Sequence, residues 1–280
     1  MILIADSGSS KTDWRVIDDN GNISQFRTIG FNPFYQTAEQ MEEGMKTIEL
    51  TALIGKISKV YFYGAGCTSE KNNTVVANTL NKMFESAIVR VDHDLMAAAR
   101  ATCGHLPGIA CILGTGSNSG DYDGQQIISN RPSPGYLLGD EGGGSYIGQQ
   151  FLKDFIYDDM PERIRAIAIQ EYQLTNLGIQ ENVYQKPFPN RYMAGFCGFI
   201  TRNKSDPYCY LLFYNGFKDF FARHVMRYKD YRSKKVNFVG SIAYYNSDVL
   251  RKVASDLGIQ VNIILETPIA GLTLYHKEKL

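Results

Sequence analysis

No apolar run in the chain approaches the roughly 20 residues that a membrane helix needs. No basic leader with a cleavage site separates Met1 from the first apolar stretch. The expectation is a cytoplasmic protein with no membrane attachment. Charge of one sign is missing too: 29 Lys and Arg stand against 29 Asp and Glu. No net field therefore draws the chain to nucleic acid or to an anionic surface, and small neutral partners fit better. Cysteine is sparse. Cys67, Cys103, Cys111, Cys197 and Cys209 are scattered in apolar surroundings without CxxC spacing, which excludes a disulfide scaffold and predicts reduced core thiols. His93, His105, His224 and His276 share no ligand spacing with them, so no structural zinc is expected. Neither the G-x-x-x-x-G-K-[ST] pattern nor a strand-borne GxGxxG opening a helix is present, which argues against P-loop and Rossmann architectures.

What the chain does contain is enough apolar surface for a large core: 44% of its 280 residues are hydrophobic and 12% aromatic. That length exceeds the usual single domain and predicts two. Residues 2–6, 14–18 and 23–28 read as three antiparallel strands joined by turns, the second turn being Asp18-Asp19-Asn20-Gly21-Asn22. Helix over 37–53, strand over 59–63, helix over 69–84 capped by Ser69, strand over 87–91 and an Ala-rich helix over 94–103 follow. After Gly104-His105-Leu106-Pro107-Gly108, a plausible crossing between domains, the pattern restarts with the strand IACIL and a turn GTGSNSG. Residues 4–8 and 112–116 are both apolar strands emptying into small-residue turns, which points to a duplicated architecture. Residues 143–228 are rich in helix signals, with a loop at Pro187 and Pro189. Strands at 236–239 and 261–264 flank a helix over 247–257, and a last short helix starts at Pro268. The expected domains are 1–106 and 107–267, with the helix of 268–280 packing back on the first.

Four segments carry candidate chemistry. Asp6-Ser7-Gly8-Ser9-Ser10-Lys11-Thr12 sets a carboxylate at a strand end before a tight turn whose amides and hydroxyls can face one point. Phosphates need such converging donors, and an acid beside them can hold hydrated magnesium. An ordinary Gly/Ser hairpin turn is the bland alternative. Leu113-Gly114-Thr115-Gly116-Ser117-Asn118-Ser119-Gly120 is a second such turn, and two of them at the head of a repeated architecture are much less expected by chance. In Pro134–Ser145 two acids, Asp140 and Glu141, stand inside a glycine run that propensity alone would not make into helix or strand. A loop shaped to approach a ligand fits better. Phe238-Val239-Gly240-Ser241-Ile242-Ala243 breaks a buried strand at Gly-Ser, and by itself is an ordinary strand-to-helix turn.

The order DSGSSKT, LGTGSNSG, LGDEGGGSYIG and NFVGSIA, with AGFC at Ala194 to Cys197, resembles the phosphate, substrate-loop and adenosine motifs of the BadF/BadG family of actin-like ATPases, on its N-acetylglucosamine kinase side. The likeness runs from Ile2 to about Leu274. It implies an α/β fold of two ribonuclease-H-like domains of the actin/hsp70/hexokinase superfamily with an ATP cleft between them. It further implies ATP and Mg2+ as cofactors and a small-molecule sugar as partner, phosphorylated at its 6-hydroxyl and most simply an amino sugar such as N-acetylglucosamine or glucosamine. Carried over by motif, Asp6 would position magnesium through water. Gly8, Ser9, Ser10, Lys11, Thr115 and Gly116 would meet the ATP phosphates, and Ala194, Gly195, Gly240 and Ser241 would line the adenosine. Asn32, Phe34, Asp94, Ser117, Asn118, Gly135 and Asp140 would bind the sugar.

The family's catalytic acid stands at a strand end that opens an Ala-rich helix, and VRVDHDLMAAARA puts Asp94 there. A sugar hydroxyl is a poor nucleophile until its proton is accepted as the bond to phosphorus forms, which a nearby aspartate can do. A helix N-cap is the plainer role for Asp94, and Asp92 competes for the catalytic one. His93 reads as a strand-end residue. Two other functions stay open: an ATPase activator of 2-hydroxyacyl-CoA dehydratase or benzoyl-CoA reductase type, and a non-catalytic sugar sensor. The first needs cluster-ligating cysteines, and none falls in a suitable loop. The second needs neither base nor metal carboxylate, whereas Asp6, Asp94 and Asp140 are all present. The oligomeric state is left open, a homodimer included.

Overall fold

The computed structural model describes residues 1–8, 11–131 and 133–278, and the chain divides into two compact units, 1–105 with 268–280 and 106–267. The first unit begins with β1 (Ile2–Ser7), β2 (Lys11–Ile17) and β3 (Ile23–Ile29), an antiparallel meander. Next come α1 (Ala38–Met45), α2 (Ile48–Thr51), β4 (Lys59–Gly64), α3 (Glu70–Met83), β5 (Ile88–His93) and α4 (Asp94–Cys103). Strands β4 and β5 add in parallel to give the order β3-β2-β1-β4-β5. The apolar residues of α1 and α3, including Met41, Met45, Val76 and Leu80, close a core with Leu3, Ala5, Trp14 and Phe62 on one side of this sheet. The expected helix over 37–53 is two helices. Thr47 takes an extended conformation and its side chain accepts the Leu50 amide, because threonine serves a helix better as cap than in its interior.

The second unit repeats the plan with β6 (Gly108–Leu113), β7 (Ser117–Tyr122) and β8 (Ile127–Arg131). A helical stretch follows: α5 (Gly144–Ile156), α6 (Glu162–Tyr172), α7 (Asn176–Tyr184), α8 (Pro189–Ala194), α9 (Cys197–Arg202), α10 (Pro207–Arg223) and a 3-10 turn at Val225–Arg227. Then come β9 (Val236–Val239), α11 (Ser241–Tyr245), α12 (Ser247–Asp256) and β10 (Val261–Leu265). The strand order β10-β9-β6-β7-β8 is that of the first sheet, three antiparallel strands flanked by two parallel ones. The core is dominated by aromatic side chains of α5, α9 and α10 such as Phe151, Phe199, Phe213 and Phe217. The turn read over GTGSNSG is shorter than expected, since Leu113 already pairs with Ser117 and the polar run SNSGDY is ladder strand. Pairing with β6 overrides the turn preference of Ser, Asn and Gly. Pro189 opens α8 rather than extending a loop, its fixed φ suiting the first helical position. The last helix, α13 (Ile269–Lys277), belongs to the first unit and packs on α4, where Gly271 lets it approach the Ala101 backbone. No helix among the described residues is long and apolar enough to cross a membrane.

Candidate active site

Ligands of parallel α/β sheets gather at the carboxyl ends of the strands, and in the first unit those ends form a row of charge. Register places Arg27, Asp13, Asp6, Tyr63 and Asp92 side by side across β3, β2, β1, β4 and β5. Two of the three acids are neutralised. Asp13 Oδ1 accepts from Arg27 Nε at 2.7 Å and Lys11 Nζ lies 3.4 Å from its other oxygen, while Asp92 Oδ2 is 3.3 Å from Arg100 Nη1. Asp6 has no ion-pair partner among the described residues. Burial, with the like charges of Asp13 and Asp94, pushes its carboxyl up from 3.8 to about 7.

Asp94 follows directly beyond that row as the first helical residue of α4. The cap is His93, whose Nδ1 accepts the Met96 amide at 3.1 Å, so the capping role that sequence alone favoured for Asp94 is filled by its neighbour. The Asp94 carboxylate is thereby spared for other work. Burial raises its pKa, opposed by His93 and the first amides of the helix, and no Lys or Arg pairs with it among the described residues. A half-desolvated carboxylate without a cation is a better proton acceptor than Asp92, which Arg100 holds.

The rim of this corner comes from two loops. Ser7 Oγ bonds Thr12 Oγ1 at 2.7 Å and accepts the Phe31 amide at 2.9 Å, which fastens the turn after β1 to the loop after β3. Buried Asn32 lies in that loop, its Oδ1 accepting the Phe34 amide at 3.0 Å, and the Phe34 ring is exposed. Gly66, after β4, has φ +84, and a Cβ there would stand 2.3 Å from Asn32 Oδ1. Only glycine fits. Gly8 closes the first turn by donating to the Lys11 carbonyl at 3.0 Å. Ser9 and Ser10 lie outside the described residues.

In the second unit the turn Gly114–Thr115–Gly116 is built by close backbone approach. The carbonyls of Gly114 and Thr115 accept the amides of Gly144 and Ser145 at 2.8 Å each, so the first turn of α5 is spent holding the turn in place. A Cβ on Gly143 would stand 2.7 Å from the Gly116 backbone, and one on Gly240 (φ +122) 2.2 Å from the Leu113 carbonyl oxygen. Gly144 in turn abuts Ala194. Thr115, Gly116, Ala194 and Gly240 therefore meet around one strand end, with Gly195 and Ser241 exposed beside them.

Asp140 bears on the same turn. Its Oδ1 accepts the Ser117 amide at 3.1 Å and the Ser133 hydroxyl at 2.6 Å, Ser133 Oγ accepts the Asp140 and Gly135 amides, and the residue sits at φ +60. A left-handed aspartate held by three contacts is a positioned group. Asn118 turns its Oδ1 to the Ser119 amide and to Asn130. Ser117 Oγ and Ser145 Oγ are buried with no hydrogen-bond partner among the described residues, and such orphans are the groups a polar ligand would satisfy.

Several contributors carry little signal in the sequence. Asp13 signals itself only through pairing opposite Asp6. Ser133 was hidden between prolines in RPSPG, and Gly66 in GAGC was one small residue among many. By sequence Glu141 is one of two acids in a glycine run. It is buried, with Arg223 Nε at 3.1 Å and His224 Nε2 at 3.5 Å, and anchors the loop to the end of α10.

A duplicated sheet with three antiparallel and two parallel strands, and small-residue turns at both strand ends, defines the actin/hexokinase class of two-domain α/β proteins. Comparison with solved structures agrees. A "putative N-acetylglucosamine kinase" of Porphyromonas gingivalis superposes with a TM-score of 0.94 at 41% identity, over 99% of each chain. A protein of the same description from Chromobacterium violaceum gives 0.74 at 16% identity over 98% of each. Hexokinase from Schistosoma mansoni gives 0.51 at 11% identity, over 100% of this chain and 85% of that one, a likeness of fold. No protein-family model and no curated protein matches the sequence. The chain belongs to the family of the Porphyromonas protein, the N-acetylglucosamine kinase-like sugar kinases.

Proposed function

We propose that this protein is an ATP-dependent sugar kinase that transfers the γ-phosphoryl group to the 6-hydroxyl of an amino sugar, N-acetylglucosamine before glucosamine. The observation that carries the reading is Asp94: a carboxylate at a parallel-strand end, relieved of capping by His93, without a cation, beside the uncompensated Asp6. In this reading Asp94 accepts the 6-hydroxyl proton as the oxygen bonds to phosphorus and ADP departs with the electrons of the broken P–O bond. Asn32, Phe34, Ser117, Asn118, Gly135 and Asp140 hold the sugar. Thr115, Gly116, Gly8 and Lys11 meet the phosphates, with Ala194, Gly195, Gly240 and Ser241 along the adenosine.

The donor set fits Mg2+. Magnesium characteristically takes one or two carboxylates with water and phosphate oxygens. Asp6, the one acid of its row left without a cation, would be that carboxylate. When bound, the ion supplies charge neutralisation to the phosphates. The wider BadF/BadG grouping is proposed on motif order alone. Its ATPase-activator members need exposed cluster ligands, whereas burial pushes the thiols of Cys67, Cys197 and Cys209 up to about 12, which suits inert core groups. ATP supply and reduced thiols together suit the cytoplasm.

A coupled ADP-release assay over N-acetylglucosamine, glucosamine, N-acetylmannosamine and glucose tests the proposal. The expected result is the highest kcat/KM for N-acetylglucosamine. A preference for glucose would sink the amino-sugar assignment, and ADP release indifferent to every sugar would sink the kinase reading itself.

A further inference from the structure

A second polar pocket lies within the first unit, lined by Tyr61, Tyr63, Arg90, Val91, Asp92 and Arg100, with a volume of about 310 Å³. None of the proposed ATP or sugar contacts lines it. Its floor follows from strand register: Tyr61 pairs with Arg90 and Tyr63 with Asp92 across β4 and β5, so period-two alternation sends all four side chains to one face. That is the face on which α13 packs, with His276 stacked on Tyr61 at 3.8 Å between ring centroids. Because β5 is the edge strand, the pocket is open at the sheet margin.

The pocket is over-supplied with donors. Arg100 is clamped between the rings of Tyr63 and Tyr275, 5.5 and 5.6 Å from their centroids. Its Nη1 donates to Tyr63 Oη at 2.8 Å and lies 3.3 Å from Asp92 Oδ2. Its Nε is buried with no acceptor among the described residues, although a guanidinium carries donors on all three nitrogens. The Tyr63 hydroxyl accepts from Arg100 Nη1 and shares a second hydrogen bond with His276 Nε2 at 2.8 Å. Arg90 is exposed and makes no ion pair among the described residues. Two arginines face a single carboxylate, Asp92, which already serves Arg100 and the His93 amide. Two guanidiniums that outnumber the one carboxylate beside them call for an acceptor-rich anion. The planar arginine fork matches phosphate bidentately, and a tetrahedral oxyanion presents acceptors to donors on several sides.

We propose that this pocket binds a phosphate group, either inorganic phosphate or the phosphate of a small ester, held by Arg90 and Arg100. The site touches the catalytic strand through Asp92, two residues before Asp94.

Binding of inorganic phosphate to the full chain is measured by titration calorimetry on the wild type, Arg90→Ala and Arg90→Lys, at constant ionic strength with acetate as the control anion. Arg90 is exposed on an edge strand, so its removal leaves the fold intact, which an unchanged melting temperature verifies. The expected result is phosphate affinity reduced about tenfold or more in Arg90→Ala and partly restored in Arg90→Lys, since one charge-assisted contact is worth at least that factor. A hexose phosphate titrated in parallel into the wild type and Arg90→Ala distinguishes the two sources, only the part of its binding lost in the variant being counted. Tighter binding than phosphate means the sugar fills the remaining volume, and equal or weaker binding means the free ion is the ligand. Phosphate binding of the same strength in Arg90→Ala, no detectable phosphate binding to the wild type, or acetate binding as well as phosphate would each overturn the assignment.

Discussion

The two units share a strand order and differ in how they build their strand ends. The first does it with charge: Asp13, Asp6 and Asp92 stand in one row, with Asp94 just beyond, and cations answer two of the row's acids. The second does it with absence of side chains, Gly143, Gly144 and Gly240 letting the backbone close on Leu113–Gly116. One scaffold thus carries two separable tasks. Changes in the first unit should cost chemistry at nearly constant stability, and changes in the second should cost the fold of the turn itself.

The largest effect that would sharpen this contrast is expected from Asp94→Asn. Removing a positioned general base lowers rates by roughly 10²–10⁴-fold, so kcat should fall by that order while the melting temperature holds. Asp92→Asn, next to it but already paired with Arg100, should leave kcat within a few-fold. If the two variants lose equal activity, the assignment of roles along the row is wrong. Second in size is Gly240→Ala. Both the φ of +122 and the 2.2 Å approach to the Leu113 carbonyl forbid a methyl group, and the expected loss is about 3 kcal/mol in denaturant unfolding. Gly114→Ala, where an added Cβ meets nothing within 4 Å, is the matched control and should be near neutral for stability.

Smaller still is Ser133→Ala, which removes the 2.6 Å hydrogen bond to Asp140. Hydrogen bonds to charged groups contribute about 1.5–3 kcal/mol, so the sugar KM should rise by about tenfold or more with kcat less affected. A further contrast is a difference of sign in pH dependence. Asp6 has its folded pKa raised to about 7 from 3.8, so between those values the folded state carries a proton that the unfolded state lacks, and its contribution to stability falls as pH rises through that window. His224, buried and stacked on Phe220, has its folded pKa lowered below 6.5. Here the unfolded state binds the extra proton, so stability is present above about 6.5 and is lost as pH falls toward the folded pKa. Hydrogen exchange resolved by unit, read at pH 5 and 7, should show the two trends running in opposite directions. Substitution of His224 by Gln should flatten only the second.

Much of this was legible in the chain because local signals agreed with the fold. ILIAD reads as an apolar strand and lies within β1, which runs one residue further to Ser7, Ser69 caps α3, and the restart at IACIL marks the second sheet. The polar strand β7 was not legible, since SNSGDY carries turn residues and only pairing with β6 makes it a strand. The same limit applied to the site. Motif order could nominate Asp6, Asp94 and Asp140, yet which acid is neutralised depends on partners brought in by register or by helix packing, Arg27 from β3 and Arg100 from α4. The capping of α4 by His93 rather than Asp94 is a matter of one dihedral step, and the sequence carries both options.

The account rests on a proton-accepting carboxylate at the head of α4 serving phosphoryl transfer to a sugar. Phosphorus NMR of ATP with N-acetylglucosamine, run with the wild type and with Asp94→Asn, tests this directly. The predicted result is a growing sugar 6-phosphate resonance matched by loss of the ATP γ-phosphate, and no such growth with the variant. Release of inorganic phosphate in place of the ester, or ester formed at an undiminished rate by Asp94→Asn, would contradict it.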